Sequence, residues 1–505
     1  MRSSCKIVVV VIGLLVSSLH VLVEAQLTLP HQHPNPEAVV QEVRRRVNES
    51  ISRRQLLGLQ EKDQCGTGNP IDDCWHCNPN WRNDPQILAD CAIGFGHDAL
   101  GGKGGRIYYV TDPSDNDPVN PAPGTLRYGV IQSEPLWILF SGNMVINLKY
   151  ELLVSSFKTI DGRGPRVEIT GKGCVILDSV SNVIIHNIHI HHCKPSGNAK
   201  IRTSPVQISE RGQSDGDGIS VYASSKIWID HCSLSYCTDG LIDVTRGSTA
   251  VTISNSFFSH HEKVMLLGHS DDFTADSGMQ VTVAFNHFGE DLVERMPRCR
   301  HGYFHVVNND YTQWGMYAVG GSAAPIINSQ GNRYIAPQNG NNKEVTKRMD
   351  TDESEWRRWN WRSEGDLMVN GAFFVPSGVE LSPQFTEATS MAPFAANVIE
   401  QLTMNVGVTG LPSSNVNPGN GMPSNPGGTS PGETPPSPGL VVGGTPPVTG
   451  YSPPIMGYGG GGTYGYYPWG NGGNYGPRTS NAPKSTSIVL IILVVSTLYS
   501  AFILL

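Results

Sequence analysis

The chain has 505 residues, 56 of them glycine and 35 proline, and a formal net charge of -8. It is too long for one ordinary globular core and suits one elongated repeat domain carrying appendages. With no global positive field to draw in a polyanion, a nucleic-acid partner is excluded, and any acidic substrate needs local cations or a bound metal.

The first residues, MRSSCKIVVVVIGLLVSSLHVLVEA, place basic residues before an apolar run from Ile7 to Leu15 and close on Val23-Glu24-Ala25. This is the form of a secretory signal peptide over residues 1–25, with a retained signal anchor as the alternative. Secretion permits disulfides. Of the ten cysteines, Cys5 leaves with the signal, so nine remain and at least one is unpaired or bridges elsewhere. Cys65, Cys74, Cys77 and Cys91 form a local group expected to make two staples. Cys74-Trp-His-Cys77 lacks the second CxxC or the βαβ context that a zinc or redox site would bring.

Residues 26–62 hold Arg44-Arg45-Arg46 and set Val39, Val43, Val47 and Ile51 at helical spacing. A short amphipathic helix and a removable pro-segment both fit. Asn48-Glu49-Ser50 is a glycosylation sequon, usable on a secreted chain.

Residues 63–400 read as short β-rich runs parted by Gly, Asn and Ser. Val183-Ile-Ile-His-Asn187, Ile227-Trp-Ile-Asp-His231, Val251-Thr-Ile-Ser-Asn255 and Val281-Thr-Val-Ala-Phe-Asn286 resemble one another, and Phe304 to Asn308 and Ile326 to Asn332 continue the series. His231 to Asn255 is 24 residues, Asn286 to Asn308 is 22, and Asn308 to Asn332 is 24. A period in the low twenties marks a solenoid. The regular leucine framework of leucine-rich repeats is absent, so the fold expected is all-β, a right-handed single-stranded parallel β-helix with Asn bonding along a repeated corner. Two longer gaps, Asn187 to His231 (44) and Asn255 to Asn286 (31), are expected to bulge out as loops that build a cleft.

Residues 401–487 turn to Pro, Gly, Ser and Gly-Tyr runs, too poor in aliphatic residues to form a core, and read as a disordered stalk. Residues 488–505 (IVLIILVVSTLYSAFILL) are mostly apolar and end the chain without flanking polar residues. Small residues and a polar spacer before them match a GPI-attachment signal, with Gly473, Asn474 and Ser480 as open attachment points. A retained membrane helix is the alternative.

The chemistry concentrates between Ser214 and Arg300. Asp215 and Asp217 are two apart, and Asp239 and Asp243 four apart, so in extended chain each pair shares a face. On neighbouring coils the four carboxylates would converge into an oxygen cage for a hard cation such as Ca²⁺. Lys263 and the Arg295, Arg298 and Arg300 group follow. Cations beside a bound divalent ion are costly unless an anion lies between them, and that anion reads as the substrate. Arg295 and Arg300 suit a planar carboxylate. Histidines 186, 189, 191, 192, 260 and 261 are spread over successive strands and are expected at corners or in the cleft rather than around zinc.

These residues carry a resemblance. Asp215-Gly-Asp-Gly-Ile219, Trp228-Ile-Asp-His231, Asp239-Gly-Leu-Ile-Asp243, Lys263-Val-Met-Leu-Leu-Gly268, Arg295-Met-Pro-Arg-Cys-Arg300 and Trp359-Asn-Trp-Arg362 resemble the plant pectate lyases of polysaccharide lyase family 1, over roughly Cys65 to Val398. The resemblance implies Asp215, Asp239 and Asp243 as calcium ligands with Asp217 as a fourth. It implies Arg295 as the residue that removes a proton, and Lys263 and Arg300 as those that grip a uronate carboxylate. Position 239 is often Glu in bacterial relatives, so Asp239 keeps the charge on a shorter reach. The implied enzyme is monomeric, is held to the outer leaflet by the GPI anchor, and acts on polygalacturonate, or pectin, by calcium-dependent β-elimination. Arginine is normally protonated, so an alkaline optimum is expected. A polygalacturonase-type hydrolase using Asp239 and Asp243, and a non-catalytic pectin-binding surface protein, are the rival readings.

Overall fold

The computed structural model describes residues 66–409, apart from 339 and 381. The expected signal peptide, the 26–62 extension with Asn48, Cys65, residues 410–487 of the expected stalk and the apolar tail lie outside the described residues. Residues 401–409, also expected in that disordered stalk, are instead ordered and packed on the coils, so the domain runs past the expected boundary at 400.

Each turn of the chain lays down three short strands, and like strands stack into parallel sheets of ten, nine and nine. One coil shows the plan. Ser225–Asp230 joins the first sheet, Ser233–Ser235 the third and Gly240–Thr245 the second, and each pairs in parallel with its counterparts one coil before and one after. This is the right-handed parallel β-helix the spacing implied. The one antiparallel pair among the described strands, Ala199–Ser204 with Gln207–Arg211, lies in the 44-residue gap as a protruding hairpin.

Stacking in register makes the core a set of columns. Val183, Ile227, Val251, Val281, Phe304, Ile327 and Trp361 lie over one another in the first sheet, all fully buried. In the third sheet Phe258, Phe288, Tyr311 and Tyr334 form a buried stack with ring centroids 5.1, 4.5 and 4.5 Å apart.

The corner after the first sheet differs from the sequence expectation. The Asn residues divide between two adjacent columns. Asn187, His231, Asn255, Phe285 and Asn308 turn the chain with φ of +60, +50, +47, +57 and +54°. The hydrogen-bonded ladder runs one residue later, where Asn286 N–H donates to Asn309 Oδ1 at 3.0 Å, Asn309 N–H to Asn332 Oδ1 at 2.8 Å, and Asn332 N–H to Asp366 Oδ1 at 2.7 Å. Asn tolerates the left-handed region better than most residues and its amide mimics a backbone group, so one residue type serves both columns.

Cys74 bonds to Cys91, and Cys77 is also disulfide-bonded, as the local cluster suggested. Cys174–Cys193, between neighbouring coils, is a bridge the sequence did not point to, and Cys232, Cys237 and Cys299 are free. The helix Pro70–Trp75 caps one flank of the first sheet, with Asn69 Nδ2 donating to Asn255 Oδ1 at 2.7 Å. At the other end of the described chain, Val408 N–H donates to Ser233 Oγ at 3.0 Å and Thr409 N–H to Asn187 Oδ1 at 2.8 Å.

Candidate active site

The second sheet runs, coil by coil, through Val175–Asp178, Ile219–Tyr222, Gly240–Thr245, His261–Leu267, Arg298–Arg300 and Val319–Ser322. Asp215 and Asp217 lead into the second of these strands, and Asp239 and Asp243 flank the start of the third. Lys263 lies in the fourth, and Arg295, Arg298 and Arg300 lead into or form the fifth. Register then aligns them: Ser220 faces Asp243, Gly240 faces Lys263, and Leu266 faces Arg298. With strands about 4.8 Å apart, carboxylates pass into cations across consecutive coils of one wall.

The four aspartates differ in exposure and partners. Asp215 is exposed, whereas Asp217 is 2% exposed, with Oδ1 accepting from Gly240 N–H and Oδ2 from Ser220 Oγ–H, each at 2.8 Å. Gly240 permits this packing, since a Cβ there would collide with Asp243 Oδ1 and stand 3.2 Å from Asp217 Oδ1. Asp243 Oδ1 is buried without a hydrogen-bond partner. Burial, with the charges of Asp215 and Asp239, pushes the Asp217 carboxyl up to about 7. Burial and the other three aspartates raise Asp243 well above the carboxylate range, against a lowering pull from Arg295. Three of the aspartate donor atoms do not fall within 4.8 Å of one another, so the cluster is looser than the two histidine groups that do.

Lys263 is tied to the aspartate cluster itself, whereas Arg295 and Arg300 have anchors outside it. Lys263 Nζ lies 3.2 Å from Asp239 Oδ1, both side chains about one-third exposed. Arg295, at φ +65°, places Nε 3.3 Å from Glu294 Oε1. Arg300 Nε donates to Asp271 Oδ1 at 2.9 Å, and its Nη1 donates to the carbonyls of Gly268 and His269 at 3.0 and 3.1 Å. Arg298 has a buried Nε without a partner, and burial followed by the charges of Arg300 and Arg295 lowers its proton affinity. Three guanidinium groups within six residues, one of them short of partners, make a wall that favours an anion.

A cleft of about 340 Å³ meets this wall at Asp239 and Lys263 and is otherwise lined by His192, Tyr236, His260 and His261 among others, with the other three aspartates and the three arginines outside its lining. The rings of His192, Tyr236 and His260 stack at 5.0 Å intervals along it. His261 Nε2–H donates to Asp239 O at 2.5 Å and so fixes the backbone that carries Asp239. Three of the six histidines singled out in the sequence therefore line the cleft.

Sequence reasoning missed Asp271 and Glu294, the partners of Arg300 and Arg295. Asp271 lies in the 31-residue gap and also accepts from Ser322 Oγ–H at 2.6 Å, so it ties that loop to the wall. Its only trace in the sequence is its place in a gap already expected to protrude.

Fold and groove together define a right-handed parallel β-helix protein equipped to hold an acidic ligand between a carboxylate cluster and a row of cations. A family model described as pectate lyase matches residues 148–360. A protein of Arabidopsis thaliana named probable pectate lyase 12 is 62% identical over 77% of this chain and 81% of its own length. A pectate lyase of Zinnia elegans is 60% identical over 74% and 91%. The crystal structure of Jun a 1, the major allergen from cedar pollen, is 48% identical with a TM-score of 0.66, covering 68% of this chain and 99% of that one. The chain belongs to the pectate lyase family.

Proposed function

We propose that this chain cleaves (1,4)-α-D-galacturonan, de-esterified pectin, by calcium-dependent β-elimination, leaving 4-deoxy-α-D-galact-4-enuronosyl ends and so degrading or remodelling plant cell-wall pectin. The observation that carries the reading is the passage from aspartates to Lys263, Arg295 and Arg300 over consecutive coils of one sheet.

The aspartates suit a calcium ion. Asp243 Oδ1 is buried and unpartnered, and burial and neighbouring carboxylates raise the proton affinity of Asp217 and Asp243. A divalent cation with all-oxygen preference relieves both penalties. Asp215, Asp239 and Asp243 would hold it, and Asp217, bonded to Gly240 and Ser220, would complete the set from beneath. Bound there, calcium supplies positive charge that neutralises the uronate carboxylate and acidifies its neighbouring C5–H.

The chain's own groups do the rest. Lys263 and Arg300 grip the C6 carboxylate, and because their anchors are already in place they lose little on binding. Arg295, in its deprotonated form, takes the C5 proton. The C5–H electron pair becomes the C4–C5 double bond, and the C4–O4 bond breaks. The glycosidic oxygen leaves on C1 of the departing sugar with that bond's electron pair, taking up the proton that Arg295 removed to become its reducing-end hydroxyl. No water enters. A hydrolase needs a carboxylic acid and a carboxylate flanking the bond, and here Asp239 is paired with Lys263 instead.

Location is part of the proposal. The N-terminal signal, the sequon at Asn48 and the apolar residues 488–505 support a glycosylated, GPI-anchored enzyme facing the cell wall. Release from membranes by a phosphatidylinositol-specific phospholipase is expected, and retention would sink the anchor. For the activity, polygalacturonate is incubated with purified protein, with and without a calcium chelator. Unsaturated ends absorbing in the ultraviolet are expected, lost with chelator and restored by Ca²⁺. Reducing ends without that absorbance, or cleavage indifferent to chelation, would overturn it.

A further inference from the structure

We propose that Glu168, His189 and His191 form a second metal site, for a first-row divalent transition ion of the zinc class, separate from the aspartate groove. His189 and His191 lie two apart on the strand His189–Lys194, and Glu168, on Val167–Lys172, stands directly opposite His189. One ligand atom from each falls within 4.8 Å of the others. The two imidazole centroids are 4.3 Å apart, and His191 Nε2 is 3.0 Å from Glu168 Oε2. The group belongs to the third sheet, whereas the aspartates belong to the second.

Three further features turn these side chains into a built site. The register of the two strands shifts between Ile169 and Gly171, so Thr170 faces both His191 and His192. Such a bulge re-aims side chains. Two of the three ligands are also steadied from outside: His192 Nδ1 meets His191 Nδ1 at 2.7 Å, leaving Nε2 of His191 facing Glu168, and Arg166 Nε holds Glu168 Oε1 at 2.7 Å. Outer contacts of this sort orient metal ligands. Finally, His189 Nδ1 is buried with no hydrogen-bond partner, an unmet cost that a metal bond would remove.

The donor set names the ion. Two imidazoles and one carboxylate, all partly buried, match a three-ligand zinc centre with an open fourth position. Calcium takes oxygen ligands and gains little from imidazole, so the two sites select different metals.

The test uses the full chain, prepared without a polyhistidine tag and stripped of metal. Zinc chloride is titrated calorimetrically in excess Ca²⁺, and cobalt chloride is followed by visible absorption. One equivalent of zinc per chain is expected, with a cobalt spectrum of tetrahedral type. His189→Gln and His191→Gln should each weaken zinc by roughly a hundredfold, at the upper end of what loss of a supporting contact alone costs. Asp243→Asn should leave zinc binding unchanged. Melting curves of the metal-free variants, superimposable on the parent, show that they fold. Zinc binding that survives both histidine substitutions, or that Ca²⁺ displaces, or an absence of any stoichiometric heat, overturns the site.

Discussion

Asp217 is a buried carboxyl whose two oxygens are already hydrogen-bonded, yet burial and the charge of Asp215 still push it up to about 7. A carboxyl raised in the folded state binds its proton more tightly folded than unfolded. Stability from this group is therefore complete below the unfolded value near 4, falls as pH rises through about 7, and levels off above. Metal-free protein should melt at progressively lower temperature across that window, and Asp217→Asn should flatten the curve. Ca²⁺ should raise the melting temperature chiefly above pH 7, where Asp217 has lost its proton. Glu294 offers a test of the proposed base. Its carboxylate lies 3.3 Å from Arg295 Nε, an anion set against the proposed base. In Glu294→Gln the alkaline rise of kcat on polygalacturonate should move to lower pH. An unmoved profile would mean that Arg295 is not the group titrating. The aspartates and cations of this site were legible in the sequence because a strand alternates faces and a coil repeats. Asp271 and Glu294 were not, since their contacts arise only when a loop folds back or a neighbour in sequence turns at a positive φ.

At the level of elements, the repeat was visible but its phase was not. Asn187, Asn255 and Asn308 mark the left-handed corner, and Asn286, Asn309 and Asn332 the ladder beside it. In sequence the two sets look alike, because both follow a β-branched run and both demand a short polar amide. The structure separates them by what each amide meets. Asn309 Nδ2 donates to Val283 O at 2.8 Å and its Oδ1 accepts from Asn286 N–H at 3.0 Å, all in the dry interior. Removing it strands at least one buried backbone group on the coil beneath. Asn309→Ala should cost about 1–3 kcal/mol for each group left unmet, read as a lowered denaturation midpoint. The same change at Asn198, an exposed residue, should fall within about 0.5 kcal/mol of the parent. Phe288 to Tyr334 taught the same lesson. Phe288, Tyr311 and Tyr334 recur every 23 residues, yet only register reveals that their rings stack.

For the described domain taken whole, the flank capped by Pro70–Trp75 sets a limit on the alkaline working range. His231 is fully buried between Asp230 Oδ2 at 2.7 Å and Asp72 Oδ1 at 3.1 Å, the first on a coil and the second on the capping helix. Burial alone would lower its proton affinity, but the two carboxylates overcome that and raise it to about 10. His186 Nδ1, 2.8 Å from the same Asp230 oxygen, joins this network from the coil below, and burial lowers its own proton affinity. A base raised in the folded state contributes stability that is whole below the unfolded value near 6.5 and is lost as pH climbs through about 10. On the proposed mechanism cleavage gains from alkali through Arg295, while the cap loses its central charge over the same range. Rate and stability thus pull in opposite directions, and the working optimum is set by where the clamp begins to fail. His231→Gln should destabilise the protein by about 3–5 kcal/mol at pH 7, because Asp72 and Asp230 are left as buried charges without their cation. It should also abolish the decline in melting temperature between pH 7 and 10. If the variant keeps the parent's slope over that range, the loss of alkaline stability originates elsewhere than at this histidine.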